Sequence, residues 1–185
     1  LSEVSKIIIN GTDLSETIAF QDSVNIDATI KGNGGDDIIS TGGGNDQVEG
    51  GNGDDVIYTN GGDDGLYGGN GNDKLFGGIG TDTLEGGLGD DLLDESKDRV
   101  NPEVAISETN TMDGEAGNDT LLGSPGIDTI TGGSGDDNLI GLTNDDQYIF
   151  DDGYGNDKIV DPKGQESLFF GDVSVAMQLS ILSLI

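Results

Sequence analysis

The chain of 185 residues carries 37 acidic side chains against 7 basic ones, a net charge of −30. This balance excludes DNA or RNA as a direct partner, since neutralising phosphates needs clustered Lys and Arg; it argues against anionic membrane surfaces and invites cations. There is no His and no Cys, which removes Ser-His-Asp, Cys-His and His-metal catalysis, thiolate metal centres and disulfide scaffolds.

Residues 1–31 are poor in Gly and rich in β-branched side chains, among them Ile7, Ile8, Ile9, Ile18, Val24, Ile26 and Ile30. Ile9 and Ile18 are nine apart, as are Ile30 and Ile39, with a three-residue insertion between Ile18 and Ile30. The segment GTDLSETIA over residues 11–19 is a degenerate repeat with Glu16 where Asp would stand. Residues 1–31 are expected to be N-terminal capping strands, because terminal repeats are atypical where they close a stack against water.

Residues 32–94 are a first block of seven nonapeptides: GNGGDDIIS, TGGGNDQVE, GGNGDDVIY, TNGGDDGLY, GGNGNDKLF, GGIGTDTLE and GGLGDDLLD. Position six is Asp37, Asp46, Asp55, Asp64, Asp73, Asp82 and Asp91; position eight is always aliphatic and position four always Gly. Residues 95–113 break the period and read as a linker, with Pro102 and scattered Val100, Val104 and Ile106. The step from Asp91 to Asp119 is 28 residues, which suits either a degenerate coil in one continuous stack or a loop between two stacks. Residues 114–160 are a second block of five units: GEAGNDTLL, GSPGIDTIT, GGSGDDNLI, GLTNDDQYI and, after a two-residue insertion, DGYGNDKIV. Their sixth positions are Asp119, Asp128, Asp137, Asp146 and Asp157. Residues 161–185 are a closing cap, whose apolar run Val173–Ile185 is too short to span a bilayer. The chain opens without Met or a cationic-apolar leader, so it is expected to be part of a larger polypeptide.

The repeat dictates an architecture. The first six residues of each unit hold too many Gly for a helix and suit a tight turn. The last three form a minimal strand whose middle side chain points inward. Two units close one coil of 18 residues, and coils stack with parallel strands about 4.8 Å apart. An interior of about two aliphatic side chains per coil is meagre, while the position-six carboxylates stack in columns that repel one another. Cations are needed between them. Calcium fits, as a hard ion that takes 6–8 oxygens from carboxylates and main-chain carbonyls; magnesium prefers to keep its water, and zinc lacks its usual ligands here. Facing pairs are 18 residues apart: 37/55, 55/73, 73/91, 46/64 and 64/82 in the first block, with 119/137, 128/146 and 137/157 in the second. That predicts about seven or eight calcium ions. On the outer face, Tyr58 and Phe76 are expected to be cross-strand neighbours. There is also no G-K dipeptide and hence no phosphate-binding P-loop.

The twelve tandem units resemble the G-G-x-G-x-D-x-U-x signature of the RTX (repeats-in-toxin, haemolysin-type) calcium-binding family. The resemblance covers residues 32–94 and 114–160, and DDQYIFDDGYGNDKIVD followed by SLFFGDVS resembles the segment that ends such arrays. It implies an all-β, right-handed parallel β-roll, or β-solenoid, with calcium at the turns and export by type I secretion machinery as an unfolded chain. It also implies a ligand set: the position-six Asp side chains, with main-chain carbonyls from positions two and four. These are Asn33 and Gly35, Gly42 and Gly44, Gly51 and Gly53, Asn60 and Gly62, Gly69 and Gly71, Gly78 and Gly80, and Gly87 and Gly89 in the first block. In the second they are Gly117, Gly126, Gly133 and Gly135, Asn144 and Gly155, with Glu115, Ser124 and Leu142 as departures at position two; Glu16 is the doubtful ligand. The implied protein is secreted or on the cell surface, and this stretch of it is not an enzyme. A structural spacer or adhesive array, or the non-catalytic C-terminal region of a toxin, protease or lipase, would carry the same repeat.

Overall fold

The computed structural model describes residues 4–96, 109–150, 155–161, 167–170 and 180–182. Most of the Val173–Ile185 run and the middle of the 95–113 span lie outside the described residues.

Every nonapeptide delivers one short strand, because x-U-x has a single inward side chain to bury and the following Gly-rich turn reverses the chain. The strands are β1 (Ile7–Asn10), β2 (Thr17–Ala19), β3 (Ala28–Gly34), β4 (Ile38–Ser40), β5 (Gln47–Asn52) and β6 (Val56–Gly61). They continue with β7 (Gly65–Asn70), β8 (Lys74–Ile79), β9 (Thr83–Leu88), β10 (Leu92–Asp94), β11 (Thr111–Ala116) and β12 (Thr120–Leu122). The last six are β13 (Thr129–Thr131), β14 (Asn138–Ile140), β15 (Gln147–Phe150), β16 (Lys158–Val160), β17 (Ser167–Phe170) and β18 (Ser180–Leu182). Odd-numbered strands form one nine-stranded sheet and even-numbered strands the other, both parallel and both in chain order. Successive units therefore alternate between sheets, and two units make one coil. The molecule is an all-β solenoid, with no helix among the described residues.

Register follows the period. Val48 pairs with Leu66, and Ile57 with Leu75, eighteen residues on. The three-residue insertion near the N-terminus appears as Ile9 facing Ile30 and Ile18 facing Ile39. The two-residue insertion after residue 149 appears as Leu139 facing Ile159. Across the 95–113 span, β9 pairs with β11 and β10 with β12, so one continuous stack runs through it. Leu93 faces Leu121, which makes the 28-residue step one coil of eighteen enlarged by an insertion of ten. The ladder resumes at Asn110, inside that span, since Thr111 pairs with Thr83.

The core is the column of position-eight side chains. Ile39, Val48, Ile57, Leu66, Leu75, Leu84, Leu93, Leu121, Ile130, Leu139 and Tyr148 are fully buried, joined by Ile30, Met112 and Ile159. Ile7, Ile9, Ile18 and Phe20 pack on one end of the column and Leu168 on the other. On the outer face Tyr58 and Phe76 pair across β6 and β8 and stack with ring centroids 4.7 Å apart.

Candidate metal centres at the stacked turns

The sequence places Asp at position six because the strand begins one residue later, which leaves that side chain at the mouth of the turn, over the next coil. There its two oxygens divide their work. Oδ1 accepts the main-chain N–H of the residue one coil earlier: Asp37 donates to Asp55 at 2.7 Å, Asp55 to Asp73 at 2.7 Å and Asp73 to Asp91 at 2.7 Å. The column continues across the insertion, from Asp91 to Asp119 at 2.8 Å, then to Asp137 at 2.9 Å and Asp157 at 3.1 Å. On the opposite edge Asp46 donates to Asp64, Asp64 to Asp82, and Asp128 to Asp146. Each facing pair read from the sequence is thus brought together, and 91/119 joins them.

Oδ2 turns inward. In Asp37, Asp55, Asp73, Asp91, Asp119 and Asp137 this atom is buried and meets no hydrogen-bond donor. Positions one to six of the twelve units contain no Lys or Arg, so no cationic side chain of the turns can reach it; Lys31 pairs with Glu49 on the outer face. A buried anion without donor or countercharge is costly. The titration behaviour reflects this. Burial, opposed by the Oδ1 hydrogen bond and reinforced by neighbouring carboxylates, pushes Asp55, Asp91 and Asp137 up to about 6, Asp73 up to about 7 and Asp119 up to about 8. On the other edge burial pushes Asp64 up to about 8. The hydroxyls of Thr41 and Thr59 lie beside Asp46 and Asp64 and ease their charge. Both hydroxyls nevertheless donate onward, to the carbonyls of Thr59 and Gly77.

Oδ2 does not stand alone. A Cβ on Gly32 would strike both Asp37 Oδ2 and the carbonyl oxygen of Gly50. At Gly50 the pair is Asp55 Oδ2 and the Gly68 carbonyl; at Gly68 it is Asp73 Oδ2 and the Gly86 carbonyl; at Gly114 it is Asp119 Oδ2 and the Gly132 carbonyl. At these four positions the Gly leaves a cradle lined by a carboxylate oxygen and a carbonyl from the next coil. Among the described residues no three acidic or other side-chain ligands gather in one place, so any ion held here must draw several ligands from the main chain. Such an oxygen-only set of carboxylate and carbonyl suits calcium.

Positions two and four supply the turn's shape. Gly51, Gly53, Gly69, Gly71, Gly78, Gly80, Gly87 and Gly89 all have positive φ, as do Asn33, Asn60, Glu115, Leu142 and Asn144 in place of Gly. A Cβ on Gly69 would meet the carbonyl of Gly51, and one on Gly71 that of Gly53, so these carbonyls point along the stack from turn to turn. Gly35, Gly62, Gly117, Gly133 and Gly135 share the conformation; Gly42, Gly44 and Gly126 do not. In the unit GSPGIDTIT position two is Ser124, which has no positive φ and which the following Pro125 biases towards extended backbone. The Ser124 N–H donates to Asp128 Oδ2 at 2.7 Å, an internal donor that the Oδ2 atoms of Asp37, Asp55, Asp73, Asp91, Asp119 and Asp137 lack. At Glu16 the carboxylate folds back onto Thr12, although its own N–H still donates to Asp37 Oδ1 at 2.7 Å.

Comparison with protein-family models matches residues 31–66, 58–93 and 113–148 to the RTX calcium-binding nonapeptide repeat in four copies, together more than half of the chain. The chain belongs to that RTX family. Its repeats bind calcium, and the parallel solenoid above is the frame that stacks them. A comparison with curated proteins returned no match. As a family, RTX repeats form calcium-binding modules and are generally non-catalytic.

Three features escaped the sequence reading. Position five carries a second ladder, running the opposite way: Asp54 N–H donates to Asp36, Asn72 to Asp54, Asp90 to Asn72 and Asn118 to Asp90. Asp or Asn at that position in most units was its signal. Asn110 fills the missing position-six rung, its Oδ1 accepting from Asp82 and its N–H donating to Asp128, both at 2.9 Å. Counting nine back from Asp119 and from Leu121 would have found Asn110 and Met112. The position-one cradles have only their Gly as a signal.

Proposed function

We propose that this chain is a calcium-dependent folding module of a secreted bacterial protein, exported unfolded through type I secretion machinery and folded outside the cell. The observation that carries this reading is the column of six buried Oδ2 atoms without hydrogen-bond donors along one edge of an RTX solenoid. The ligand set is Asp37, Asp46, Asp55, Asp64, Asp73, Asp82, Asp91, Asp119, Asp137, Asp146 and Asp157, completed by carbonyls of positions two and four and, from the cradles, position one; Asp128, expected from the sequence, is left out because its Oδ2 already accepts the Ser124 N–H. About seven or eight ions would fill the turns, at sites binding at roughly 0.1–1 mM as in extracellular calcium modules. Such sites stay empty at intracellular calcium and fill outside, which couples folding to export. The module is part of a larger polypeptide and has no catalytic role of its own.

Circular dichroism during a calcium titration tests this. At pH 8 the chelated chain is expected to lack β-structure and to gain it cooperatively in the submillimolar to millimolar range of calcium. A chelated chain already rich in β-structure would defeat the proposal.

A further inference from the structure

Eleven of the twelve position-one residues beginning repeats 32–94 and 114–160 are Gly or Thr, and that of the last unit lies outside the described residues; the enlarged coil begins instead with Glu95. Its main chain is held like the others, the Glu95 N–H donating to the Leu122 carbonyl at 2.8 Å. Its side chain is not. Glu95 is 0% exposed, and neither carboxylate oxygen has a hydrogen-bond partner. The side chain reaches back one coil. A Cβ on Gly77 would strike both Glu95 Oε1 and Asp82 Oδ2, so the two carboxylates converge on one cradle. Every comparable cradle at Gly32, Gly50, Gly68, Gly86 and Gly114 pairs a carboxylate with a carbonyl. At Gly77, unlike those five, a second carboxylate takes the carbonyl's place.

The same coil carries Asn110 at position six, where a neutral amide keeps the ladder but has no anionic oxygen. The coil therefore lacks the usual carboxylate and has an unusual one. Burial first, and the charge of Asp82 second, raise the Glu95 carboxyl well above the ordinary range. The N–H groups of Gly77 and Gly78 face it and oppose that rise, without closing a hydrogen bond.

We propose that Glu95 supplies from position one the carboxylate that its coil lacks at position six, and that Glu95 and Asp82 together hold a calcium ion at the break in the repeat. This rests on the calcium reading of the turns but names a ligand outside the nonapeptide pattern. Two carboxylates facing each other in a closed space, one with both oxygens unpartnered, are stable as anions only with a cation between them, and a hard divalent ion suits an all-oxygen cradle. The insertion thus keeps the metal column intact although it breaks the motif.

The test counts calcium bound per chain, by native mass spectrometry and equilibrium dialysis, on the full chain at saturating calcium. Glu95→Gln, which keeps shape and removes charge, is expected to bind one ion fewer than wild type. The double variant Glu95→Gln/Asn110→Asp, which moves the carboxylate back to position six, is expected to restore the count, and it remains informative if Glu95→Gln alone fails to fold. An unchanged count and midpoint in Glu95→Gln would overturn the assignment, as would a double variant that folds and still lacks the ion. The same holds if Glu95→Gln is merely more stable without calcium, the behaviour of a protonated carboxyl pair. A wild-type chain that binds no calcium at all would instead refute the calcium reading of the whole array.

Discussion

Replacing Asp73 by Asn isolates the charge of one rung. Asp73 Oδ1 accepts from Asp55, and Asp73 N–H donates to Asp91, both at 2.7 Å. An Asn side chain keeps that ladder, as Asn110 does between Asp82 and Asp128. What is lost is the anionic Oδ2 in the cradle over Gly68. Asp73 has a carboxylate rung on each side, so it borders two ion sites. Asp46 borders one, because the residue that donates to its Oδ1 on the outer side is Ala28. At about ten times the dissociation constant, each filled site contributes about 1.4 kcal/mol. Losing two therefore removes about 3 kcal/mol, and losing one about half that. For a chain of this size these correspond to drops in Tm of roughly 6–12 °C and 3–6 °C. Thermal melts followed by circular dichroism, at one fixed calcium concentration and pH, would read both. Equal drops for Asp73→Asn and Asp46→Asn, or a larger one for Asp46→Asn, would refute the coil-to-coil pairing of carboxylates.

Gly68→Ala places a methyl group against Asp73 Oδ2 and the Gly86 carbonyl, and is expected to lower calcium affinity measurably in a dialysis experiment while leaving the spectrum of the saturated protein unchanged. Leu142 holds φ at 80°, a conformation costing a non-Gly residue roughly 1–2 kcal/mol; Leu142→Gly should raise the Tm of the calcium-loaded protein by several degrees. Without calcium, the folded values of about 7 to 8 for Asp73, Asp64 and Asp119 lie above those of the unfolded chain. The folded state then binds more protons, so its stability is fully present below about pH 4 and is lost as pH rises towards 8. Circular dichroism in chelator should show a chain without β-structure at pH 8 that gains some only as pH falls towards 5, the reverse of an ordinary carboxylate-bridged protein. In calcium, the midpoint should fall with rising pH over the same window, because binding displaces these protons.

The period made most of the fold legible. A residue repeated every nine positions fixes the strand, its inward side chain and the coil-to-coil register, so Ile57 over Leu75 and Asp55 beside Asp73 could be read directly. The insertions were harder. A ladder tolerates extra residues at a turn as long as the strands on either side stay paired, so ten extra residues between Glu95 and Asn110 left the stack unbroken while hiding both ends of the coil. Asn110 was obscured because a ladder hydrogen bond needs only an acceptor oxygen, which Asn supplies as well as Asp. Glu95 was obscured because its role depends on a side chain long enough to reach the neighbouring coil, a property of three-dimensional stacking that no linear motif encodes. Ser124 departs for a local reason that was visible, the following Pro125, whose effect on Asp128 only geometry reveals.

The central claim is that divalent ions occupy the spaces between consecutive carboxylate rungs. A crystal structure of the chain grown in calcium, with anomalous scattering recorded to locate the ions, tests it most directly. Ions should lie in register along both turn edges, each touching a position-six Oδ2 such as that of Asp73 and main-chain oxygens of adjacent coils. A fully folded roll with those cradles empty at saturating calcium would contradict the account.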